Sequence, residues 1–350
     1  MKSIALIAFT QKGCNLAREI ARGLATYARY EAAQLSVSGP ARFAEEAGVE
    51  AYDSLARWTA EHFPSDEALV YVGATGIAVR AIAPHVKDKL KDPAVVSIDE
   101  AGMFCVPLLS GHVGGANELA RAIAAIAGGQ AAISTATDVN GLFAVDEWAA
   151  RNGLAIVERT VAKEIAAALL AGTPVGFRAD FDLDWELPDG VTEGEAPVGF
   201  VVSLDETAQP FPRTLHLVPR IATLGVGCRK GLEPQVFERV VTDALRVARV
   251  SPRAVATIAS IDVKSDEQAI LQLAESRGWN TRFYTAEELA AVPGEFPHSD
   301  FVERTVGVGN VCERAACAAG GKLIAGRHAQ DGVTVALSVQ EFSLVETRLR

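Results

Sequence analysis

The chain has 350 residues, 49% of them hydrophobic and 22% charged, with a net charge of −11. At roughly 100–200 residues per domain, two or three domains with real cores are expected, and global disorder is excluded. No apolar run reaches the ~20 residues that span a bilayer, and no Lys/Arg-rich stretch gives the footprint of a nucleic-acid binder.

The elements follow in chain order. Ser3–Phe9 is an apolar run that reads as a first strand. Thr10, Gln11, Lys12 and Gly13 follow it instead of a small-residue cleavage site, which argues against a signal peptide. Leu16–Tyr27 carries helical periodicity. Ala68–Val72 is a strand closed by Gly73-Ala74-Thr75-Gly76, and the helix after it stops at Pro84. Ala94–Ile98 and Met103–Leu109 read as a hairpin around Asp99-Glu100-Ala101-Gly102. Ser110–Gly115 is a Gly-rich turn before an Ala-rich helix, Ala116–Ala127, and Gln130–Ser134 reads as a further strand.

Between Val175 and Pro219 the pattern changes to many prolines, short strand-like runs (Phe200–Leu204, Leu215–Val218) and an acidic cluster of Asp180, Asp182, Asp184, Glu186 and Asp189. The cluster fits a metal site or a solvated turn region, and the lack of calcium-binding spacing favours the turn. At Ile221 strand and helix alternate again. Strands are expected at Ile221–Val226, Ala254–Ile261, Thr281–Tyr284, Leu323–Ala325 and Val333–Ser338. Helices are expected at Pro234–Ala248, Val311–Ala319 and Ser265–Arg277, the last opening with a capping-box-like Ser265-Asp266-Glu267-Gln268. The fold class is α/β and multi-domain, with mainly parallel sheets, flanking helices and a β-rich middle module. The expected divisions are an N-terminal α/β domain (1–135), a middle module and linker (136–220) and a C-terminal α/β domain (221–350).

Four Gly-rich turns stand where a strand meets a helix: Gly73–Gly76, Ser110–Gly115, Gly225–Gly231 and Gly307–Asn310. Unpaired helix N–H groups favour an anion at such places, and glycine lets a ligand approach the backbone. Gly225–Gly231 has one residue too many for the dinucleotide fingerprint, and no P-loop is present. Its Arg229-Lys230 pair suits carboxylates or an exposed basic turn. His112, in the second turn, titrates near neutrality and can move a proton either way. His328 reads as a surface-loop residue. Ready-made serine or zinc hydrolase motifs are absent. The five cysteines, Cys14, Cys105, Cys228, Cys312 and Cys317, form no CxxC and read as reduced thiols in a cytoplasmic setting, with core packing the expected role of the last two.

GATGIAVRAIAP, DPAVVSIDEAGMFCVPLLSGHVGGANELARAIA and ISTATD resemble the cobalt-precorrin-5A hydrolase family, called CbiG, of anaerobic cobalamin synthesis. LGVGCRKG, ASIDVKSDEQAI and the stretch from Ser299 to Ala336 continue the resemblance, which is weak over about 1–45 and 175–220. The chain departs from the family pattern at Cys312 and at Arg327-His328, where a lysine is expected. The resemblance implies that water opens a ring A δ-lactone of a cobalt-bearing macrocycle. C20 then leaves with its methyl group as acetaldehyde, giving cobalt-precorrin-5B. It implies His112 for proton transfer, with Asp99, Glu100 and Asp138 as backup bases and the N–H groups of Gly114 and Gly115 as oxyanion donors. Gly73, Thr75, Gly76, Arg80, Ser110, Gly111, Gly114, Gly115, Asn117, Arg229, Lys230, Gly307 and Gly309 would bind substrate, with Arg229 and Lys230 closing a cleft between domains from the C-terminal side.

No cofactor is implied, since the substrate carries the cobalt. The partners implied are cobalt-precorrin-5A and other corrin-pathway enzymes for hand-over, with neither nucleic acid nor membrane. A non-catalytic tetrapyrrole carrier would need the carboxylate-binding loops and not His112, and a nucleotide-binding α/β enzyme would be stabilised strongly by NAD or ATP and not by a corrinoid.

Overall fold

The computed structural model describes residues 1–88, 91–111, 114–135, 140–182 and 186–344, and the chain divides into two compact units, Met1–Leu142 and Phe143–Arg350. The first unit contains strands β1 (Ser3–Ala8), β2 (Gln34–Pro40), β3 (Glu50–Tyr52), β4 (Ala68–Val72), β5 (Ala94–Ile98), β6 (Phe104–Leu109) and β7 (Gln130–Ala131). Its helices are α1 (Gln11–Leu24), α2 (Ala41–Ala47), α3 (Leu55–His62), α4 (Thr75–Ile82) and α5 (Ala116–Ala127).

Its described strands form one seven-stranded sheet, in the order β3-β2-β1-β4-β5-β6-β7. Side chains alternate across a strand, so a sheet covered on both faces reads as a continuous apolar run. Ile4, Leu6, Ala8, Val70 and Val96 face α1 and α5, while Ala5, Ile7, Leu69, Tyr71 and Val95 face α3 and α4. Every neighbouring pair is parallel except β5–β6, which is antiparallel with Ile98 opposite Cys105 and Val95 opposite Leu109.

The second unit holds two sheets. The first comprises β8 (Leu154–Ile156), β9 (Val175–Ala179), β10 (Val191–Thr192), β11 (Val198–Val202) and β12 (Arg213–Pro219), with α6 (Val145–Arg151) and α7 (Arg159–Leu170). Its order is β10-β9-β11-β12-β8, parallel except for β8. Trp148, Phe143, Phe177 and Phe200 pack ring against ring on one face. Gly176 and Gly199 are cross-strand neighbours, and the Phe211 ring lies directly over both. The strand-rich stretch therefore has a core of its own. It also ends without slack, because β12 closes at Pro219 and the next strand opens at Ala222.

The other sheet is built from β13 (Ala222–Cys228), α8 (Pro234–Ala248), β14 (Val255–Ile261), α9 (Gln268–Arg277), β15 (Asn280–Tyr284), α10 (Ala286–Ala291), α11 (Asp300–Val306), α12 (Cys312–Cys317), β16 (Lys322–Gln330) and β17 (Val333–Val339). The order is β15-β14-β13-β17-β16, with β17 antiparallel to both neighbours. Leu224 and Val226 face α8 and α9. Gly225 and Gly227, expected in a turn, lie inside β13. A Cβ on Gly225 would stand 1.8 Å from the Cys312 carbonyl oxygen and 2.4 Å from the Ala316 nitrogen. This glycine is there because α12 rests on the strand backbone. Nor does Gly307–Asn310 follow a strand, since it joins α11 to α12. Gly307 ends α11 in the left-handed region (φ +81), and Gly309 lies under the His298 ring.

Two further expectations are corrected here. α9 begins at Gln268, not Ser265, because a 3-10 turn at Asp262–Lys264 intervenes and the Glu267 side chain turns away from its own helix. His328 belongs to β16, paired with Val335, and its Nε2 is buried with no hydrogen-bond partner among the described residues.

Gly225→Ala should lower stability by about 1–3 kcal/mol through overpacking under α12. Chemical denaturation of the purified variant checks this.

Candidate functional site

In the first unit, β1, β4 and β5 end on one edge of the sheet. There Thr10 caps α1, accepting from the Gly13 amide at 3.0 Å, and its hydroxyl donates to Glu100 Oε2 at 2.7 Å. The Gly73 amide donates to the Ile98 carbonyl at 2.7 Å, and a Cβ on Gly73 would strike the Phe9 ring. Thr75 opens α4 and accepts from the buried Ser97 hydroxyl at 3.2 Å. Gly76 is exposed, and a Cβ there would meet nothing within 4 Å. Arg80 is one helical turn further along the same face.

Asp99 closes the β5–β6 hairpin. Its two carboxylate oxygens accept the Ala101 amide at 2.8 Å and the Phe104 amide at 2.6 Å. Burial pushes its pKa up, but these backbone donors, with Met103, hold it below the ordinary value. Asp99 is thus a stable anion that fixes a turn, while Glu100 is the exposed carboxylate of the pair.

By the rule for open α/β sheets, the Ser110–Gly115 loop is expected at the ligand-binding edge, where the strands have their carboxyl ends. The structure puts it on the opposite edge. β6 runs antiparallel to β5, so its end lies where β5 begins, and the Ser110 hydroxyl donates to the Asp92 carbonyl at 2.9 Å. Accordingly Ser110, Gly111, Gly114, Gly115 and Asn117 form one group, and Gly73, Thr75, Gly76, Asp99 and Glu100 another.

β7 is parallel to β6 and delivers the following residues to the loop's edge. Asn117, 1% exposed, donates from Nδ2 to Thr135 Oγ1 at 3.1 Å. The Ala116 and Asn117 amides donate to the Ser110 and Gly111 carbonyls at 3.1 and 3.0 Å. The loop folds tightly on the start of α5. A Cβ on Gly111 would be 2.7 Å from Asn117 Oδ1, and one on Gly114 would be 2.4 Å from Ser110 Cβ. Ser110 itself has φ +56, a strained value for a residue with a side chain and a recurrent mark of functional loops. Arg29, which no sequence motif marks, reaches this edge. It pairs with Glu118 at 2.7 Å and lies 3.7 Å from a Cβ position on Gly115. His112 and Asp138 lie outside the described residues.

In the C-terminal sheet, the loop after β13 carries Arg229 and Lys230, both exposed. The Arg229 amide donates to the Gly332 carbonyl at 3.1 Å, and its side-chain stem lies against Gly332. Next in the loop, the Gly231 amide donates to the Glu267 carboxylate at 3.2 Å, which also takes Lys264 Nζ at 3.2 Å. Glu267 and Lys264 are 6% and 14% exposed. A buried ion pair from the start of α9 thereby fixes the loop that presents two cations. Burial pushes the neighbouring Cys228 thiol up to about 11. In the acidic cluster of the middle sheet, Asp180 takes the Ser203 hydroxyl, and Asp184 lies outside the described residues. All five cysteines are free thiols.

Residues 57–138 match the family model described as Cobalamin synthesis G N-terminal, and residues 222–338 match Cobalamin synthesis G C-terminus. A Salmonella typhimurium protein named cobalt-precorrin-5A hydrolase is 34% identical over 353 positions, covering 97% of this chain and 98% of its own length. The chain belongs to the CbiG family. A Priestia megaterium relative of the same name is 30% identical and covers 73% of each chain. A Methanocaldococcus jannaschii protein named probable cobalt-precorrin-5A hydrolase is 27% identical over 79% of this chain and 86% of its own. The N-terminal CbiG model spans both edges of the first sheet, including the Asn117–Thr135 contact.

Two outcomes test the geometry. Glu267→Leu alone leaves Lys264 buried and unpaired, and should lower stability by about 3 kcal/mol. Glu267→Leu with Lys264→Met should recover most of that loss in urea denaturation. Gly76→Ala should keep or raise the melting temperature, because the position is helical and open. A fall in substrate affinity at unchanged stability would then mark this helix end as a ligand contact.

Proposed function

We propose that the protein is a cobalt-precorrin-5A hydrolase. Water opens the ring A δ-lactone of the cobalt-bearing macrocycle, and C20 leaves with its methyl group as acetaldehyde, giving cobalt-precorrin-5B. The observation that carries this reading is the end-to-end match to one relative of that name, with family segments in both units. The site chemistry agrees with it. A substrate rich in acetate and propionate groups needs local cations on a chain of net charge −11, and the exposed Arg229 and Lys230 provide them.

The reaction is placed on the Ser110–Asn117 edge. The strained Ser110, the close-packed Gly111 and Gly114, and the buried Asn117–Thr135 contact fix the described residues that flank His112 in sequence. Lactone opening needs a group that takes a proton from water, then one that returns a proton as C20 leaves. His112 is assigned that transfer. Gly114 and Gly115 amides are assigned to the tetrahedral oxyanion, and Asp138 remains the backup base; Asp99 and Glu100 stand on the opposite edge and are not used. Cobalt travels with the substrate, and the protein supplies no metal of its own. No described helix is long and apolar enough to cross a membrane. With five free thiols, the protein is placed in the cytoplasm.

Incubation with cobalt-precorrin-5A should release one equivalent of acetaldehyde, trapped as its hydrazone, with the matching mass loss in the corrinoid. Tight binding of the substrate without acetaldehyde would favour the carrier reading instead. His112→Ala should lower the release rate by about 10²–10⁴-fold while the protein stays folded. His112→Asn should not restore it, since an amide does not exchange a proton. Near-wild-type rates in both would move the proton transfer elsewhere.

A further inference from the structure

In β16 the pairing with β17 slips between Ala325 and His328, where Gly326 and Arg327 stand against Ala336 alone and one extra residue bulges out of the ladder. A bulge re-aims a side chain, and here Arg327 stands in it. Its amide is turned inward to Glu313 Oε1 at 2.9 Å. Glu313 lies in the first turn of α12, 4% exposed, and its other oxygen takes the Asn310 side-chain amide; Asn310 also donates to the Pro297 carbonyl at 3.0 Å. No cation neutralises this carboxylate among the described residues. It is fully engaged by backbone and amide donors, and its effect is to pin the bulge. A Cβ on Gly326 would be 3.1 Å from the same oxygen, which explains a glycine beside the bulge.

The Arg327 guanidinium is left exposed, with no acidic partner among the described residues. Its charge reaches Cys312. Burial pushes that thiol up to about 11, while Arg327 is among the groups pulling it back. Arg327 therefore stands beside the start of α12. Arg229 shares this face, since a Cβ on Gly225 would meet α12, Gly227 on the same side faces Thr334, and the Arg229 amide bond to the Gly332 carbonyl carries the alternation one residue further. Arg229 too has no acidic partner among the described residues. Two strand spacings and about four residues of rise separate the two backbones, roughly 15 Å. One carboxylate does not span that distance, but two carboxylates on one macrocycle do.

We propose that Arg327, positioned by Glu313, is a further carboxylate-binding residue of the C-terminal sheet, acting with Arg229 on separate side-chain carboxylates of the tetrapyrrole. The proposal rests on the hydrolase reading for the class of ligand, and its test does not depend on turnover.

The probes are cobyrinic acid, a corrin with its side-chain carboxylates free, and its fully methyl-esterified form, titrated against the full-length protein. Wild type should prefer the free acid. Arg327→Gln should weaken acid binding about tenfold, as expected for a lost charge-assisted hydrogen bond, and leave ester binding unchanged. Arg327→Lys should keep part of the preference. Glu313→Gln should lower the acid-to-ester preference, and the double variant should lose no more than Arg327→Gln alone. That non-additivity separates positioning of Arg327 from general support of the fold. No acid preference in wild type, no loss in Arg327→Gln, or equal losses for acid and ester would each overturn the proposal. Acetaldehyde release by wild type, scored in the same preparation, reports on the hydrolase reading separately.

Discussion

The arrangement of the first unit depends on the hairpin between β5 and β6, and the hairpin depends on Asp99. Its carboxylate ties the Ala101 and Phe104 amides into a tight reversal, so β6 returns beside β5 instead of crossing over to lie parallel. The Ser110–Gly115 loop consequently opens at the edge where β5 begins. β7, parallel to β6, carries Thr135 to the same edge. A right-handed crossover in place of this hairpin would have put both segments among the carboxyl ends of β1, β4 and β5. One turn thus divides the family's N-terminal residues between two edges of a single sheet.

The same logic operates in the C-terminal sheet through buried carboxylates. Glu267 takes the Gly231 amide and Glu313 takes the Arg327 amide. Each acid is withdrawn from solvent and bonded to a backbone N–H at or near an arginine, whose own side chain is left exposed. The acids act as scaffold and the arginines as contacts. An acidic chain can in this way present positive loops to a polyanionic ligand without a basic surface overall.

Strand positions were legible where burial on both faces writes a continuous apolar run, as in Ala68–Val72 and Ala94–Ile98, which the structure reproduces residue for residue. The hairpin was legible from its Asp-Glu-Ala-Gly turn. Less so were β2, α2, β3 and α3, whose exposed faces and short lengths weaken the periodicity. Gly225 and Gly227 read locally as turn residues, because glycine has the same letter whether it serves a positive φ or the approach of a distant helix. Glu267 reads in the sequence as part of a capping-box-like helix start, because Gly231, whose amide it takes, meets it only through the tertiary fold. Among the site residues, Asn117 was legible within its motif, but Thr135, Arg29 and Arg327 depend on strand order and on a bulge that one sequence does not display. The family itself was readable from SGHVGGAN and its neighbours, and the placement of that motif in the sheet was not.

The central assignment is that the reaction belongs to the Ser110–Asn117 edge and not to the Gly73–Glu100 edge. Peptide-resolved hydrogen exchange of the full-length protein, with and without cobalt-precorrin-5B, tests it most directly. Slowed exchange is expected in peptides spanning 109–118 and 130–136. Protection confined to peptides spanning 73–80 and 99–104, with 109–118 unchanged, would contradict it.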